Sequence, residues 1–568
     1  MSKRLLWTLA GGLGAILFLA GVFAFFSTRQ GDPGGHDQGR AEEDRATPAA
    51  IAAFCGDCHA LPDASIFPKS AWKMEVERGF QFFEKSGLPL KAPPLLTVVK
   101  WYEESAPESL PVRTQRPEPA PGWQRIETAS WPEYKDWPQS EILSHAPHGG
   151  SGESKTPSGG ATQDKKGVLF AISHLKWATL QPEEGPVLIA CDMRSGGIAS
   201  WNPRKPLQGW SKLARVAHPA HVEVADLDAD GFADLLVSDL GSFLPTDAKK
   251  GKALWFRGSK AGLLAPVTLL AEVGRVTDIG VIQDRSRGLI ELVVAAFGWN
   301  QTGEVYYLRQ REGAPALDAQ SWKFDASVVD TRHGAIHVPV HDWDGDGRMD
   351  FVALFGQEHE AVTLYLNRGR GKFEATTIHQ GAHPGLGSSG IQQADLDGDG
   401  DLDLLVSNGD VLDQPYLLKP YHGVFWLENK GHLQFEHHAV GPMYGVHRAL
   451  AFADVHSRPA ERRKEGKANS GFHPVPDKKT RFAEIVSVAF LPREGFAQRE
   501  AMKLESVLWW QPDSLGVYTP RWVESVTADH VACEVGDFWA NGDRGIAVGD
   551  FSGKGPPVVL YRMPASVR

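Results

Sequence analysis

Methionine is scarce in this sequence, and basic residues are outnumbered. Seven Met stand against 60 Gly, 18 Trp and 27 Phe in 568 residues, a balance that disfavours a helical protein and suits a turn-rich, aromatic-rich β architecture. With 59 Lys and Arg against 70 Asp and Glu, the net charge is −11. That deficit excludes a nucleic-acid surface, because phosphate binding needs an excess of Lys and Arg. No pair of residues has nucleophile–base spacing, and no zinc motif is present, so no reaction can be read from local sequence. The length exceeds one ordinary domain, so at least two folded units are expected.

What is present begins at the N-terminus. Lys3 and Arg4 precede an uncharged run from Leu5 to Phe26, about 33 Å as a helix and long enough to cross a hydrocarbon core of about 30 Å. "FAFFST" is a poor small-x-small cleavage site, so residues 1–26 read as a membrane anchor or uncleaved signal. The positive end stays inside, which places the remainder across the membrane, in the periplasm of a bacterial envelope. Residues 27–48, rich in Gly, Pro and charge, read as a flexible tether.

Directly after it, "AAFCGDCHALP" carries Cys55, Cys58 and His59. Two thiols at this spacing can add to the two vinyl groups of one haem, and the adjoining imidazole then reaches the iron. A disulfide redox pair or half of a zinc site would use the same cysteines, but the chain offers no obvious set of further zinc ligands. Haem c is therefore the expected cofactor. Met74 is the candidate distal ligand, with His36, another residue or an open position as alternatives. Residues 49–110 read as a small cytochrome c-like helical domain, and 111–121 as a second linker before a large unit at 122–568.

In that unit, "HVEVADLDADGFADLLVSDLG", "HVPVHDWDGDGRMDFVALFG" and "GIQQADLDGDGDLDLLVSNG" place Asp at positions 1, 3, 5 and 9 of a loop. These are Asp226, Asp228, Asp230 and Asp234; Asp342, Asp344, Asp346 and Asp350; and Asp395, Asp397, Asp399 and Asp403. Gly at position 6 permits the sharp turn by which alternating carboxylates converge on one hard cation, and oxygen-only ligation selects Ca²⁺. An EF-hand would need Glu at position 12, where Val237, Ala353 and Val406 stand. Apolar runs of strand type flank each loop, so these are calcium loops between strands.

Weaker copies start at Gln283, Asp454 and Asp537. Together the loop starts step by 57, 59, 53, 59 and 83 residues, and a strand pair around "GVLFAIS" and "PVLIACD" lies one step upstream. Seven units of this length, each with room for four short strands, predict an all-β seven-bladed β-propeller. Ring closure is expected to pair "GWQRIETASW" with the last strands near "PPVVLYRMP". Cys191 and Cys533 fall in the first and last blades and read as two buried thiols, with a disulfide as the alternative.

If each inner strand runs into a calcium loop, residues before that strand and after the next one share the opposite face. His218, His221, Arg275, His333, His337, Glu358, His359, Asn408, Asp410, Lys419, His422, His447, Arg448 and His530 occupy such positions. They are the candidate ligand face.

The repeats resemble the FG-GAP and VCBS-type calcium-binding repeats of integrin α-chain propellers. The whole arrangement after residue 50 is similar to bacterial envelope proteins that join a small cytochrome c to a VCBS propeller. That resemblance implies fold and compartment and carries no reaction; by similarity, calcium transfers to the three full motifs only. Three functions compete. One is electron transfer, with a propeller that binds a redox partner or a polysaccharide. A second is a haem-coupled oxidoreductase acting on a small sugar or alcohol. A third is an adhesion or interaction propeller.

Overall fold

The computed structural model describes residues 47–57, 59–113, 115–132, 170–282, 289–311, 322–412, 415–452 and 482–564. The anchor, nearly all of the tether, His36 and Cys58 lie outside these residues. No described helix is long and apolar enough to cross a membrane.

Seven antiparallel sheets follow one another along the chain. Their inner strands are Ile172–Ala178, Pro219–Ala225, Val276–Val281, the pair Ala335–His337 and Val340–His341, Ser388–Ala394, Val446–Ala451 and Ala532–Gly536. Each touches the inner strands of the sheets before and after it, and the seventh touches the first. The seven-bladed propeller is therefore closed. The fourth inner strand is split around Pro339, which has no N–H to give to the ladder.

The second strand of most blades is an unbroken apolar run because both its faces are buried. In blade 5, Asp403–Asn408, Leu404 and Val406 enter the core shared with blade 4, whereas Leu405 enters the core shared with blade 6. The period-2 alternation of a strand thus serves two seams at once. One core cluster fills each of the seven seams. The same alternation sends Cys191 into the seam between blades 1 and 2 and Cys533 into that between blades 6 and 7. Both are free buried thiols.

Closure comes from the N-terminal side, as expected. Gln124–Glu127 adds antiparallel to Val558–Arg562 as the outer strand of blade 7, with Ile126 opposite Leu560. Upstream, Glu118–Pro119 pairs in parallel with the outer strand of blade 6, Tyr518–Ser525. Part of the segment 111–121 thus lies at the propeller edge, and Pro119 is tolerated there because an outer strand needs few donors.

Before it, three α-helices form a small separate core: α1 (Pro48–Cys55), α2 (Lys69–Ser86) and α3 (Leu95–Ser105). Thr47 caps α1, its Oγ1 accepting from Ala50 N at 3.2 Å, and Gly87 in the left-handed region ends α2. Trp72 of α2 stacks on Tyr102 of α3 at 3.8 Å between centroids. Ile51, Ile66, Phe67 and Val98 complete that core, with Leu417 and Tyr421 of blade 5 packed against it.

Removing residues 1–127 deletes both closing segments and bares the edge of Val558–Arg562. By size-exclusion chromatography this chain is expected to self-associate, whereas a chain beginning at residue 111 stays monodisperse. Identical behaviour of the two would show that closure is dispensable.

Candidate functional site

The aspartate loops are held by their own backbone. Asp226 accepts from Asp230 N and Gly231 N (both 3.1 Å), Asp342 from Asp346 N and Gly347 N (3.1 and 2.9 Å), and Asp395 from Gly398 N and Gly400 N (2.7 and 3.1 Å). The same strap survives in blade 7, where Asp537 accepts from Asn541 N and Gly542 N. Carboxylate oxygens of Asp226, Asp228 and Asp230 lie within 4.8 Å of one another, as do those of Asp395, Asp397 and Asp399; in the second loop the trio is Asp342, Asp344 and Asp350. Such oxygen-only sets have the donor chemistry of a calcium site.

Position 9 has a second duty. Asp234, Asp350 and Asp403 are fully buried, and each spans two backbone amides, one in its loop and one on the third strand or just after it. Burial raises Asp234 to about 6 and Asp403 to about 7 despite those amides. Arginines flank two loops: Arg257 pairs with Asp228 and Asp230, and Arg368 with Asp344 at 2.7 Å.

The opposite side of the ring divides the candidate residues among several places. His221, His337 and Arg448 line the central channel on the inner strands, alongside two groups that the sequence reading did not single out, His174 and Asp278. Ladder irregularities recur at the same point of six inner strands, immediately before His174, His221, Asp278, His337, Gly390 and Arg448. Equivalent bulges bring these residues to one level.

Asp278 is their centre. It accepts from Ile279 N and Val338 N, and its oxygens lie 2.9 Å from His221 Nδ1 and 3.2 Å from His337 Nδ1. Burial alone would raise its carboxyl, yet these partners hold it well below the usual carboxylate range. Arg448 Nη1 donates to His337 Nε2 at 2.9 Å, so His337 must carry its proton on Nδ1 and is neutral. Burial and the nearby guanidinium lower His337 to about 4. The His174 ring lies 4.0 Å from that of His221, and burial, with the Lys176 and Arg448 charges nearby, keeps His174 well below the usual range.

Two candidates prove to be local struts. His218 Nδ1 donates to Met193 O at 2.8 Å. His530 donates from Nδ1 to Gly549 O and from Nε2 to Glu524, both at 2.9 Å, so it is an imidazolium. Arg275 lies over the Phe297 ring, and burial lowers it to about 10. His447 is held below its ordinary value by burial and by Arg448, with Asp410 opposing.

At the mouth of blade 4, His333 Nε2 lies 3.0 Å from Glu358 Oε2 and His359 Nε2 lies 3.9 Å from Glu358 Oε1. On blade 5 the loop after the second strand forms the dock for the helical domain. Asn408 fixes it by donating to Tyr421 O and Leu386 O. Lys419 and Gly385 lie against Phe67, and His383 meets Tyr421 edge-on at 4.6 Å. His422 is buried, and neither ring nitrogen finds a partner among the described residues. It borders a cleft with Arg113, Met443 and Tyr444.

Within the helical domain, Cys55 ends α1 half-buried beside the Tyr102 hydroxyl, and burial raises its thiol. His59 Nδ1 lies 2.9 Å from Ala60 O, a contact that requires the proton on Nδ1 and leaves Nε2 as the donor atom for a metal. Met74 stands on α2 outside the domain core and is 37 % exposed; Leu61, Phe82, Leu88 and Leu96 are further exposed apolar side chains of this domain. The Cys55 thiol and the His59 Nε2 are groups that a covalently held porphyrin uses, and Cys58, the second thiol of the motif, lies outside the described residues.

A family model described as an FG-GAP-like repeat matches residues 342–406, which span the second and third aspartate loops and the blade between them. No curated protein matches the chain. The matched stretch agrees with the seven-bladed ring, and an FG-GAP propeller fits an interaction or binding role.

The His530–Glu524 pair gives a pH signature. Burial opposes both charges, but the pair raises His530 above 6.5 and lowers Glu524 from 4.5 to about 2. Stability from Glu524 is present above pH 4.5 and is lost as pH falls toward 2; that from His530 is present below pH 6.5 and is lost as pH rises through its raised value. Thermal melts of His530→Gln are expected to show a lower midpoint near pH 6 and a shallower alkaline decline. Parallel pH curves for variant and parent would contradict the pairing.

Proposed function

We propose that this is an envelope electron-transfer protein, anchored by residues 1–26, whose helical domain carries haem c and whose propeller, stapled by calcium, binds a redox partner or a polysaccharide on its calcium-distal face. The carrying observation is where the helical domain docks. It sits on that face, against the loops of blade 5 that hold Lys419 and Tyr421.

Aromatic groups span the junction. Tyr102, beside Cys55, stacks on Trp72; Trp72 meets Phe67 edge-on at 5.4 Å; beyond Phe67 come Gly385 and the His383–Tyr421–His422 set. This supports a reading in which electrons pass between the attachment site and the propeller mouth.

Cys55 and Cys58 would hold the porphyrin, and His59 Nε2 would face its iron with its orientation set by the Ala60 carbonyl. The haem supplies one-electron chemistry. The protein would supply its orientation, and Met74 is the candidate whose thioether sulfur would raise the potential if it joins His59 in holding the group. In the aspartate loops, Ca²⁺ would offset carboxylate repulsion at the end of the inner strand, which is a stapling role.

Three measurements test this. Replacing both Cys55 and Cys58 by Ala is expected to abolish haem that survives denaturation; retained haem would overturn the attachment. Met74→Ala is expected to keep the haem but lower its reduction potential, and an unchanged potential removes Met74 as the ligand. Calcium chelation should lower the thermal midpoint of the parent but not of a variant carrying Asp226→Asn, Asp342→Asn and Asp395→Asn. Equal chelator sensitivity would place the calcium elsewhere.

A further inference from the structure

We infer that His333, Glu358 and His359 form a binding site for a divalent transition ion of the Zn²⁺ class at the mouth of blade 4. One ligand atom from each of the three residues lies within 4.8 Å of the other two. In a tetrahedral site with metal–ligand bonds of about 2.0–2.1 Å, neighbouring ligand atoms stand roughly 3.4 Å apart. Glu358 Oε2 lies 3.0 Å from His333 Nε2 and Glu358 Oε1 lies 3.9 Å from His359 Nε2, so the carboxylate stands between the two rings at separations on either side of that spacing.

The backbone is built to bring the two loops together. Gly356 N donates to Gly334 O at 2.9 Å, and Gly334 N donates to Phe297 O. Gly303 admits no side chain, because a Cβ there would stand 2.7 Å from the His333 Cβ. Gln357 and Glu360 both have positive φ, 56° and 40°, a conformation costly for residues with a Cβ. That strained turn presents Glu358 and His359 together toward His333. Its far end is fixed by Glu360, which accepts from Gly387 N and Ser388 N at 3.0 and 2.9 Å.

Charge suits a cation. Arg332, the nearest guanidinium, is spent on Asp330 and the Tyr365 hydroxyl and lies over the Phe355 ring. Two imidazoles with one carboxylate select a transition ion over Ca²⁺ or Mg²⁺. The three side chains remain 18–35 % exposed, so the ion would keep a position open toward the mouth for an oxygen ligand from outside.

The test is calorimetric titration of the full chain with Zn²⁺ in excess Ca²⁺, which occupies the aspartate loops. One tight site is expected, weakened roughly 100-fold by His333→Ala, by His359→Gln and by Glu358→Gln. His438→Ala, which disables the other histidine-containing cluster, Glu428, Glu436 and His438, should leave it unchanged. Zn²⁺ should also raise the thermal midpoint of the parent but not of His359→Gln, which keeps a similar volume and so reads binding rather than folding. Loss of the tight site in His438→Ala with retention in His333→Ala, or no tight site at all, overturns the inference. The titration does not depend on haem, so the Cys55→Ala, Cys58→Ala chain should bind Zn²⁺ equally.

Discussion

Closure of the ring from the N-terminal side fixes everything else. Blade 7 has only three strands of its own, and Gln124–Glu127 supplies the fourth. The chain must therefore reach blade 7 along the outside of blade 6, where Glu118–Pro119 pairs. Just upstream, Arg113 is pinned by Pro442 O, the Tyr444 hydroxyl and Glu505. With the tail tied at these points, only a few residues separate α3 from the propeller, and the helical domain is held over blade 5. Its position over blade 5 follows from the same pairing that completes the fourth strand of blade 7.

Within the ring, each aspartate of a loop answers a different demand. Position 1 satisfies the amides of the turn, which is why Asp537 persists in blade 7, where the later carboxylates have gone. Position 9 ties the loop to the third strand, and in blades 3 and 6 its place is taken by a glutamate paired with arginine: Glu291 with Arg309, Glu484 with Arg544. Positions 3 and 5 lack a carboxylate in all three weaker copies, whereas position 1 keeps Asp in two of them and is Gln283 in the third. Each full loop is thus a structural turn that carries further carboxylates with the donor chemistry for a hard cation.

This explains what the sequence made legible. Strand alternation, turn glycines and alternating aspartates are local signals, so seven units, three full loops and the closing strand could all be read. Asp278 could not: inside "VTDIGV" it looks like a polar residue in a strand, and its partners His221 and His337 are about sixty residues away on either side. Aligning the inner strands at their third residue would have set it beside His174, His221, His337 and Arg448. The candidate face was legible as a face, but not its division into channel, mouth, dock and struts. That division depends on bulges and on which neighbour satisfies each ring.

Histidine shows how far partners decide function. His530 faces two acceptors and is a cation that bridges blades 6 and 7. His337 receives from Arg448 and gives to Asp278, so it is neutral and relays one charge to the other. His333 and His359 share one carboxylate between two rings, an arrangement that leaves donor capacity for a third party. Buried polar groups that satisfy one another completely rigidify a fold; those left with spare capacity at a solvent-facing mouth are where binding energy can still be gained. By that criterion Asp278, His337 and Arg448 act as structure, whereas spare capacity is found at His333 and His359 at the mouth of blade 4 and at His422 in the dock of blade 5.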